Sequence, residues 1–140
     1  VQKGLAGCDV AIFAAAVADY RPVSVSEQKI KKTGERLVLE LERTEDILGS
    51  ARSVFGFRGV LAGFAAESEK LVEHAREKLE RKGCDVIIAN DITQPGIGFD
   101  SAENAVTLCL PGGRTKSLPR QPKTQLARAL LAEILTLKNS

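Results

Sequence analysis

The sequence predicts an α/β protein with a doubly wound, mostly parallel sheet that carries helices on both faces. Three apolar segments support this prediction, because near-continuous apolar runs are typical of parallel strands buried on both sides. Segments with helical spacing separate them, and such alternation implies right-handed crossovers between parallel strands. The three predicted strands are residues 10–15, 59–65 and 84–90.

The composition is that of an ordinary soluble globular protein, and the length of 140 residues predicts one domain. A net charge of +2 is too small to indicate nucleic acid or a membrane surface as a partner. The sequence contains neither a membrane-spanning apolar run nor a signal peptide. Its three cysteines are predicted to be buried, reduced thiols, which suits a cytoplasmic location. His74 has no cysteine near it in sequence, so a metal site is not expected.

The first half of the chain contains one long polar segment. Residues 1–7 are interpreted as the end of a helix, and the first strand follows. Residues 22–36 are rich in Ser, Lys and Gly and are predicted to form a long, mobile connection of the kind that often serves as a lid. Residues 37–42 alternate and predict a strand with one wet side. Its apolar face comprises Leu37, Leu39 and Leu41.

Two helices are predicted between the strands of the middle region. Thr44 is a suitable N-cap for a helix that runs to about residue 54, with acids at its positive end. Ser68 is the predicted cap of the second helix, and Gly83 follows its last residue, Lys82.

The C-terminal third changes character. Residues 94–98 are predicted as a loop and 105–110 as a strand, and a turn at 111–113 leads to a short partner strand near 115–118. Pro122 suits the first turn of a final helix. The apolar stripe of that helix comprises Leu126, Leu130, Ile134 and Leu137.

The most informative candidate for a binding site is the stretch 14–22. Small alanines end a buried strand, and Asp19, Tyr20 and Arg21 then arrive together before Pro22, which is expected to stop regular pairing. This arrangement suits the carboxyl edge of an open α/β sheet, where ligands bind. The alternative is that Asp19 closes a turn and Arg21 is solvated.

Two groups of lysines allow two interpretations each. Lys29, Lys31 and Lys32 form either a solvated basic loop or a lid whose cation neutralises phosphate charge. Lys78 and Lys82 fall on the apolar stripe of their helix, where they either complement the helix dipole or point at a ligand. A doubly wound fold is expected to place this helix end away from the carboxyl edge of the strands. The usual glycine-rich dinucleotide fingerprint is absent, which argues against a nicotinamide dehydrogenase.

Several longer motifs, in order along nearly the whole chain, resemble the phosphopantothenoylcysteine synthetase family, the ligase half of a bifunctional coenzyme A biosynthesis flavoprotein. The motifs are A-A-V-A-D-Y-R-P at 15–22, K-I-K-K at 29–32, T-E-D-I-L at 44–48, G-F-A-A-E at 63–67, A-N-D-I at 89–92 and G-F-D-S-A-E-N-A-V-T-L at 98–108.

The resemblance implies a CTP-dependent ligase. The carboxylate of 4′-phosphopantothenate attacks the α-phosphate of CTP and releases pyrophosphate; the amine of cysteine then displaces CMP from the acyl-cytidylate. The matching positions imply Lys29 as the essential flap lysine, Ala15 and Ala16 as substrate contacts, and Asp19 as a ligand of Mg²⁺. The implied nucleotide contacts are Phe13, Ala14, Ala15, Asp19, Lys29, Glu45, Asp46, Ile47, Leu48, Phe64, Lys78 and Lys82.

The sequence also departs from the family pattern. A first strand and a substrate loop that begin the family's ligase domain are missing, and Glu45 stands where many relatives carry proline. The flavin-binding decarboxylase is absent, so FMN is not expected here, although a decarboxylase is expected as a partner domain. The resemblance implies a homodimer formed near a flap at about 20–43. The alternative function is a nucleotide-binding and dimerisation module without turnover.

Overall fold

The computed structural model describes residues 1–31, 34, 36–91, 93 and 101–138. The chain divides into two compact units, which are Val1–Ala14 with Ile47–Ser140 (unit 1) and Ala15–Asp46 (unit 2). The described helices and strands, in chain order, are α1 (Gln2–Leu5), β1 (Val10–Phe13), β2 (Tyr20–Pro22), β3 (Leu41–Arg43), α2 (Ile47–Ser53), β4 (Val60–Glu67), α3 (Leu71–Lys82), β5 (Val86–Asp91), β6 (Glu103–Cys109), β7 (Thr115–Pro122) and α4 (Lys123–Lys138).

Unit 1 is built on a five-stranded sheet with the order β1-β4-β5-β6-β7. β1 and β5 flank β4 and are parallel to it, with Val10 opposite Val60 and Ala62 opposite Val86. β6 is antiparallel to β5, and β7 is antiparallel to β6, so four of the five strands point the same way. The predicted mostly parallel α/β sheet is therefore confirmed.

Apolar side chains cover both faces of this sheet, as expected for a doubly wound fold. On one face, Leu61 and Ile87 pack in a core with Ala75 and Leu79 of α3. On the other face, a second core packs strand residues against α4. The predicted stripe of α4 is confirmed, because Leu126, Leu130 and Ile134 are buried in that core and Leu137 packs on its margin.

Unit 2 contains a two-stranded antiparallel sheet of β2 and β3. Pro22 lies opposite Leu41, and the amide of Val23 donates to the carbonyl of Glu40. β2 ends at Pro22, so the prediction that this proline stops regular pairing is confirmed, with one backbone hydrogen bond beyond it.

The predicted strand at 37–42 was wrong in its bounds and in its burial. The observed strand is shorter and begins only at Leu41. Its expected apolar face is exposed, because neither side of this segment packs on a core within the described part of unit 2. The exposed leucines are Leu37, Leu39 and Leu41.

Both predicted N-caps were also wrong. The Thr44 hydroxyl donates to the carbonyl of Ala18, and α2 begins at Ile47. α3 begins after Lys70, which adopts a left-handed conformation with φ 48° and makes no side-chain cap. Short polar side chains often bond to nearby backbone instead of a helix end, and sequence does not distinguish the two uses.

The predicted end of α3 is confirmed, whereas the predicted start of α4 needs a small correction. Gly83 ends α3 in a left-handed conformation, as predicted, and donates its amide to the carbonyl of Glu80. Pro122 ends β7 rather than opening α4, which begins at Lys123.

Cys84 and Cys109 are buried, but Cys8 is exposed, in contrast to the predicted three buried thiols. The loop predicted at 94–98 lies outside the described residues.

Among the described residues, no helix combines the length and apolar character needed to cross a bilayer. The four α-helices of the described residues belong to unit 1, and the longest, α4, has 16 residues.

Gly59 fixes the approach of the loop before β4 to the residue before β1, where the amide of Val60 donates to the carbonyl of Asp9. A Cβ at position 59 would collide with that carbonyl and lie 2.7 Å from Cζ of Phe57. We expect Gly59→Ala to lower the free energy of unfolding by about 1–3 kcal/mol, because backbone cannot yield as a flexible side chain does. Gly4→Ala is the control, since a Cβ there meets nothing within 4 Å. Equal urea midpoints for the two variants would contradict the prediction.

Candidate functional site

The candidate site of unit 1 lies where β1 ends. The pairing of β1 with β4 stops at Phe13 and Gly63, whereas β4 continues to Glu67. The carbonyl of Phe64 lies one residue beyond that pairing and accepts a hydrogen bond of 2.7 Å from Nζ of Lys78. A lysine of α3 thus donates to a carbonyl that lies beyond the pairing of β1.

This contact corrects the expectation that Lys78 lies away from the carboxyl part of the sheet. α3 runs back from the end of β4 towards the start of β5, so its last residues do approach the amino ends of the strands. Side chains on a helix, however, lean towards the helix N-terminus. Lys78 lies one turn before the end of α3, and its side chain reaches back to the middle of β4.

Leu48 of α2 approaches the same part of β4. A Cβ built on Gly63 would lie 2.8 Å from Cδ2 of Leu48 and 3.0 Å from Cδ1 of Ile87. Gly63 therefore provides the space in which Leu48 rests against the strand backbone. Phe13 is the register partner of Gly63, so three predicted nucleotide contacts meet β4 at Gly63 and at the backbone carbonyl of Phe64. They are Phe13, Leu48 and Lys78, whereas the side chain of Phe64 packs against the core on the opposite face of the sheet.

The half-buried ammonium group of Lys78 has donors to spare. It donates to one carbonyl, and no carboxylate pairs with it among the described residues. A lysine ammonium has three N–H donors, so two are available to a carbonyl or phosphate oxygen. The site can therefore bind an electron-rich group next to apolar surface.

The positive charges of Lys78 and Lys82 both lower the pKa of the buried thiol of Cys84. The Sγ atom of this thiol would lie 3.7 Å from a Cβ built on Gly63. Burial raises the pKa of Cys84 to about 11, Asp85 adds to the rise, and the positive charges of Arg52 and the two lysines oppose it. Burial likewise raises the pKa of Cys109. Lys82 is the last residue of α3 and lies at the turn into β5. Both buried thiols are neutral at pH 7.

The two remaining predicted contacts in unit 1 lie at the ends of its elements. Ala14 is exposed and follows the last residue of β1. Ile47 is half-buried and opens α2, one residue before Leu48.

The other predicted site residues belong to unit 2, and all of them are exposed. Arg21 forms an ion pair of 2.8 Å with Glu42 across the hairpin, so it is not simply solvated. The backbone carbonyl of Asp19 accepts the amide of Thr44, which ties the two ends of this unit together. A hydrogen bond with the Tyr20 side chain raises the pKa of Arg43. The predicted contacts in this unit are Ala15, Ala16, Asp19, Lys29, Glu45 and Asp46.

Polar groups at the carboxyl ends of β4 and β5 were not predicted as site residues. Oδ1 of Asn90 is buried and has no hydrogen-bond partner among the described residues. Glu67 lies 3.1 Å from Nδ1 of His74, and Asp91 accepts the amide and hydroxyl of Thr93. The A-N-D-I motif contained the signal for Asn90, because an amide that ends an apolar strand lies at the edge where ligands bind.

Comparison with known proteins identifies relatives across nearly the whole chain. The family profile described as the DNA/pantothenate metabolism flavoprotein C-terminal domain matches residues 1–137. The coenzyme A biosynthesis bifunctional protein CoaBC of Vibrio vulnificus is 41% identical over 131 residues, which cover 92% of this chain and 32% of that protein. CoaBC of Escherichia coli K12 is 40% identical over 131 residues, with coverage of 91% and 32%. The chain thus spans about a third of the length of these curated relatives.

Two solved structures have the same fold. The C-terminal domain of a coenzyme A biosynthesis bifunctional protein CoaBC superposes with a TM-score of 0.74 at 34% identity, covering 99% of this chain and 59% of that one. The DNA/pantothenate metabolism flavoprotein from Streptococcus pneumoniae superposes with a TM-score of 0.76 at 26% identity, covering 97% and 66%.

The raised pKa of Cys84 predicts a loss of stability at alkaline pH. The folded state holds the thiol proton more tightly than the unfolded chain does, so this contribution is complete below pH 9 and is lost as pH rises towards 11. We expect the contribution to be roughly 2 kcal/mol, and Cys84→Ala to flatten the decline of the free energy of unfolding between pH 9 and 11. Cys8→Ala, which removes an exposed thiol, is the control. Parallel pH profiles for the unsubstituted chain and Cys84→Ala would refute this.

Proposed function

The chain belongs to the DNA/pantothenate metabolism flavoprotein C-terminal domain family, and on that premise we propose that it is the phosphopantothenate–cysteine ligase of coenzyme A biosynthesis, with CTP as the activating nucleotide. Its CoaBC relatives act in coenzyme A biosynthesis. The observation that carries the proposal is the convergence of Phe13, Leu48 and Lys78 on Gly63 and the backbone carbonyl of Phe64, at the end of β1. An apolar surface beside an ammonium group with spare donors suits a nucleoside and its electron-rich oxygens.

In this proposal each residue contributes a different part of the chemistry. Phe13 and Leu48 offer apolar contacts to the base and ribose, the backbone of Phe64 borders them, and Lys78 donates to a pyrimidine carbonyl or a phosphate. Lys29 supplies a flap cation, and Ala15 and Ala16 lie against phosphopantothenate with little side chain between it and the backbone. A carboxylate oxygen attacks the α-phosphorus of CTP, and the bond to pyrophosphate breaks. The cysteine amine then attacks the acyl carbon, CMP leaves and the amine gives up a proton.

Mg²⁺ fits this proposal as a companion of the triphosphate. The described residues contain no cluster of three or more metal-binding side chains. Mg²⁺ in nucleotide enzymes commonly takes one or two carboxylates, with phosphates and water completing the octahedron. The exposed carboxylate of Asp19 suits that role, and Mg²⁺ would neutralise charge on the triphosphate.

The exposed apolar surface of unit 2 supports a homodimer within the same proposal. Solvent-exposed apolar side chains that cluster on one segment mark interaction surfaces. The exposed apolar residues of this unit include Val17, Tyr20, Val23, Val25, Ile30, Leu37, Val38, Leu39 and Leu41. The same surface favours the second candidate, a nucleotide-binding and dimerisation module without turnover. A decarboxylase partner domain, suggested by the bifunctional relatives, and a cytoplasmic location remain predictions.

Nucleotide competition tests the proposal directly. We expect CTP to displace a bound fluorescent nucleotide at lower concentration than ATP does, and more strongly with Mg²⁺ than without it. Lys78→Ala is expected to weaken CTP binding more than ATP binding, because the lost donor reads the base. Arg81→Ala removes an exposed cation from the same helix and is the matched control. Equal displacement by CTP and ATP would sink the CTP assignment.

Lys29 is expected to contribute to rate and not to stability. Its exposed position predicts that Lys29→Gln changes the free energy of unfolding by no more than about 0.5 kcal/mol. Pyrophosphate release from CTP, 4′-phosphopantothenate and Mg²⁺ is expected to fall by a factor on the order of 10²–10³, because the developing phosphate charge loses its cation. Lys31→Gln, in the same exposed segment, is the control.

Normal release by Lys29→Gln in the full-length ligase would assign the lysine a different role. Nucleotide binding without pyrophosphate release in the unsubstituted full-length protein would favour the module over the ligase.

A further inference from the structure

Arg52 connects four segments of unit 1 through one guanidinium group. Its Nε donates to the carbonyl of Gly83 at 2.6 Å, and its Nη2 donates to Oδ2 of Asp85 at 2.6 Å. Nη1 lies 3.4 Å from the carbonyl of Phe57. The same carboxylate oxygen of Asp85 accepts the amide of Leu61 at 2.7 Å. The segments joined are therefore α2, the loop after it, the turn after α3 and the start of β4.

α2 depends on such contacts because it is short. It has seven residues, and isolated helices of fewer than about 12–15 residues are marginal in water. Ala51 is its only buried residue among those described, so little apolar burial holds it in place. The side chain of Arg52, in contrast, is only 29% exposed and has fixed partners.

Leu48 and Arg52 lie one turn apart on the same face of α2, because residues four apart on a helix are neighbours. Towards the carboxyl ends of the strands, Leu48 rests against Gly63 beside the contact between Lys78 and the carbonyl of Phe64. Towards the amino ends of the strands, Arg52 is held near the starts of β4 and β5. A rigid helix turn therefore transmits the position of Arg52 to Leu48.

We propose that Arg52 is a positioning residue for the nucleotide site, which holds α2 so that Leu48 lies against Gly63 and completes the surface for the nucleoside. This inference rests on the proposed function. Arg52 lines an open groove of about 900 Å³ at the amino edge of the sheet and does not touch the nucleotide site. Its effect is exerted through Leu48, which is apolar and contacts base and ribose, and not through the phosphates.

Arg58 is a matched control for Arg52. It lines the same groove and carries the same charge, but it is exposed and makes no hydrogen bond or ion pair with the described residues. Arg52→Met and Arg58→Met thus remove equal charge and differ in the connection to α2. Methionine keeps much of the side-chain volume and the straight-chain helix propensity.

The test compares two ligands. Dissociation constants for CTP and for inorganic tripolyphosphate are measured by calorimetry on the unsubstituted chain and both variants, below their unfolding transitions. We expect Arg52→Met to weaken CTP binding about tenfold and tripolyphosphate binding less than twofold, because the nucleoside surface alone is displaced. Arg58→Met is expected to leave both within twofold. Loss of general stability would instead weaken both ligands alike.

A double-mutant cycle with Leu48→Ala identifies the route of the effect. If Arg52 acts through Leu48, adding Arg52→Met to Leu48→Ala weakens CTP binding by less than a further twofold, because the effects of coupled residues are non-additive. Should Arg52→Met fail to fold, Arg52→Lys replaces it in the cycle. The lysine ammonium reaches one acceptor, whereas the planar guanidinium of Arg52 binds several, so we expect CTP binding to weaken by an intermediate factor of about three.

Each other result has a defined meaning. Equal behaviour of Arg52→Met and Arg58→Met, equal losses for both ligands, or additive effects in the cycle would overturn the positioning role alone. Absence of CTP binding by the unsubstituted chain would overturn the proposed function, and this inference with it.

Discussion

The early end of β1 is the constraint on which the candidate site depends. A strand in a parallel sheet normally has its backbone groups satisfied by its neighbours, and unmet groups are costly when buried. β1 stops opposite Gly63, four residues before β4 ends, and so leaves a carbonyl for Lys78 to satisfy. Leu48 of α2 lies against the backbone of β4 at the point where this pairing stops. A longer β1 would pair these groups and remove the site.

The features predicted well from sequence are those set by burial. The three parallel strands and the stripe of α4 were identified because apolar periodicity reports directly which residues face a core. The contact between Lys78 and the carbonyl of Phe64 was not predicted, since no pattern within one chain tells how far a lysine side chain reaches. The geometric rule failed for Lys78, because it places a whole helix end and ignores the lean of its side chains.

The features missed are those in which a polar side chain had several local partners. The Thr44 hydroxyl donates to a carbonyl in unit 2, and Ser68 is not the N-cap of α3, which begins after Lys70. Arg52 could not have been singled out, since its two shortest hydrogen bonds are to Gly83 and Asp85, which lie 31 and 33 residues further along the chain. Two of its three partners, Gly83 and Phe57, are backbone carbonyls, which any residue type can supply. Such contacts are decided by the packed fold and leave no local trace in sequence.

The two edges of the main sheet differ in their capacity to recruit another strand. β7 carries Pro119 and Pro122, which interrupt the row of donors that a strand would need, and its cations are engaged by Glu133 and Glu103. β1 contains neither a proline nor a charged residue, and its Ile12 side chain is exposed. Edge-to-edge aggregation is therefore blocked at β7 by its own sequence, whereas β1 needs a covering segment or a short length to stay unpaired. Its four residues limit how much any such pairing can gain.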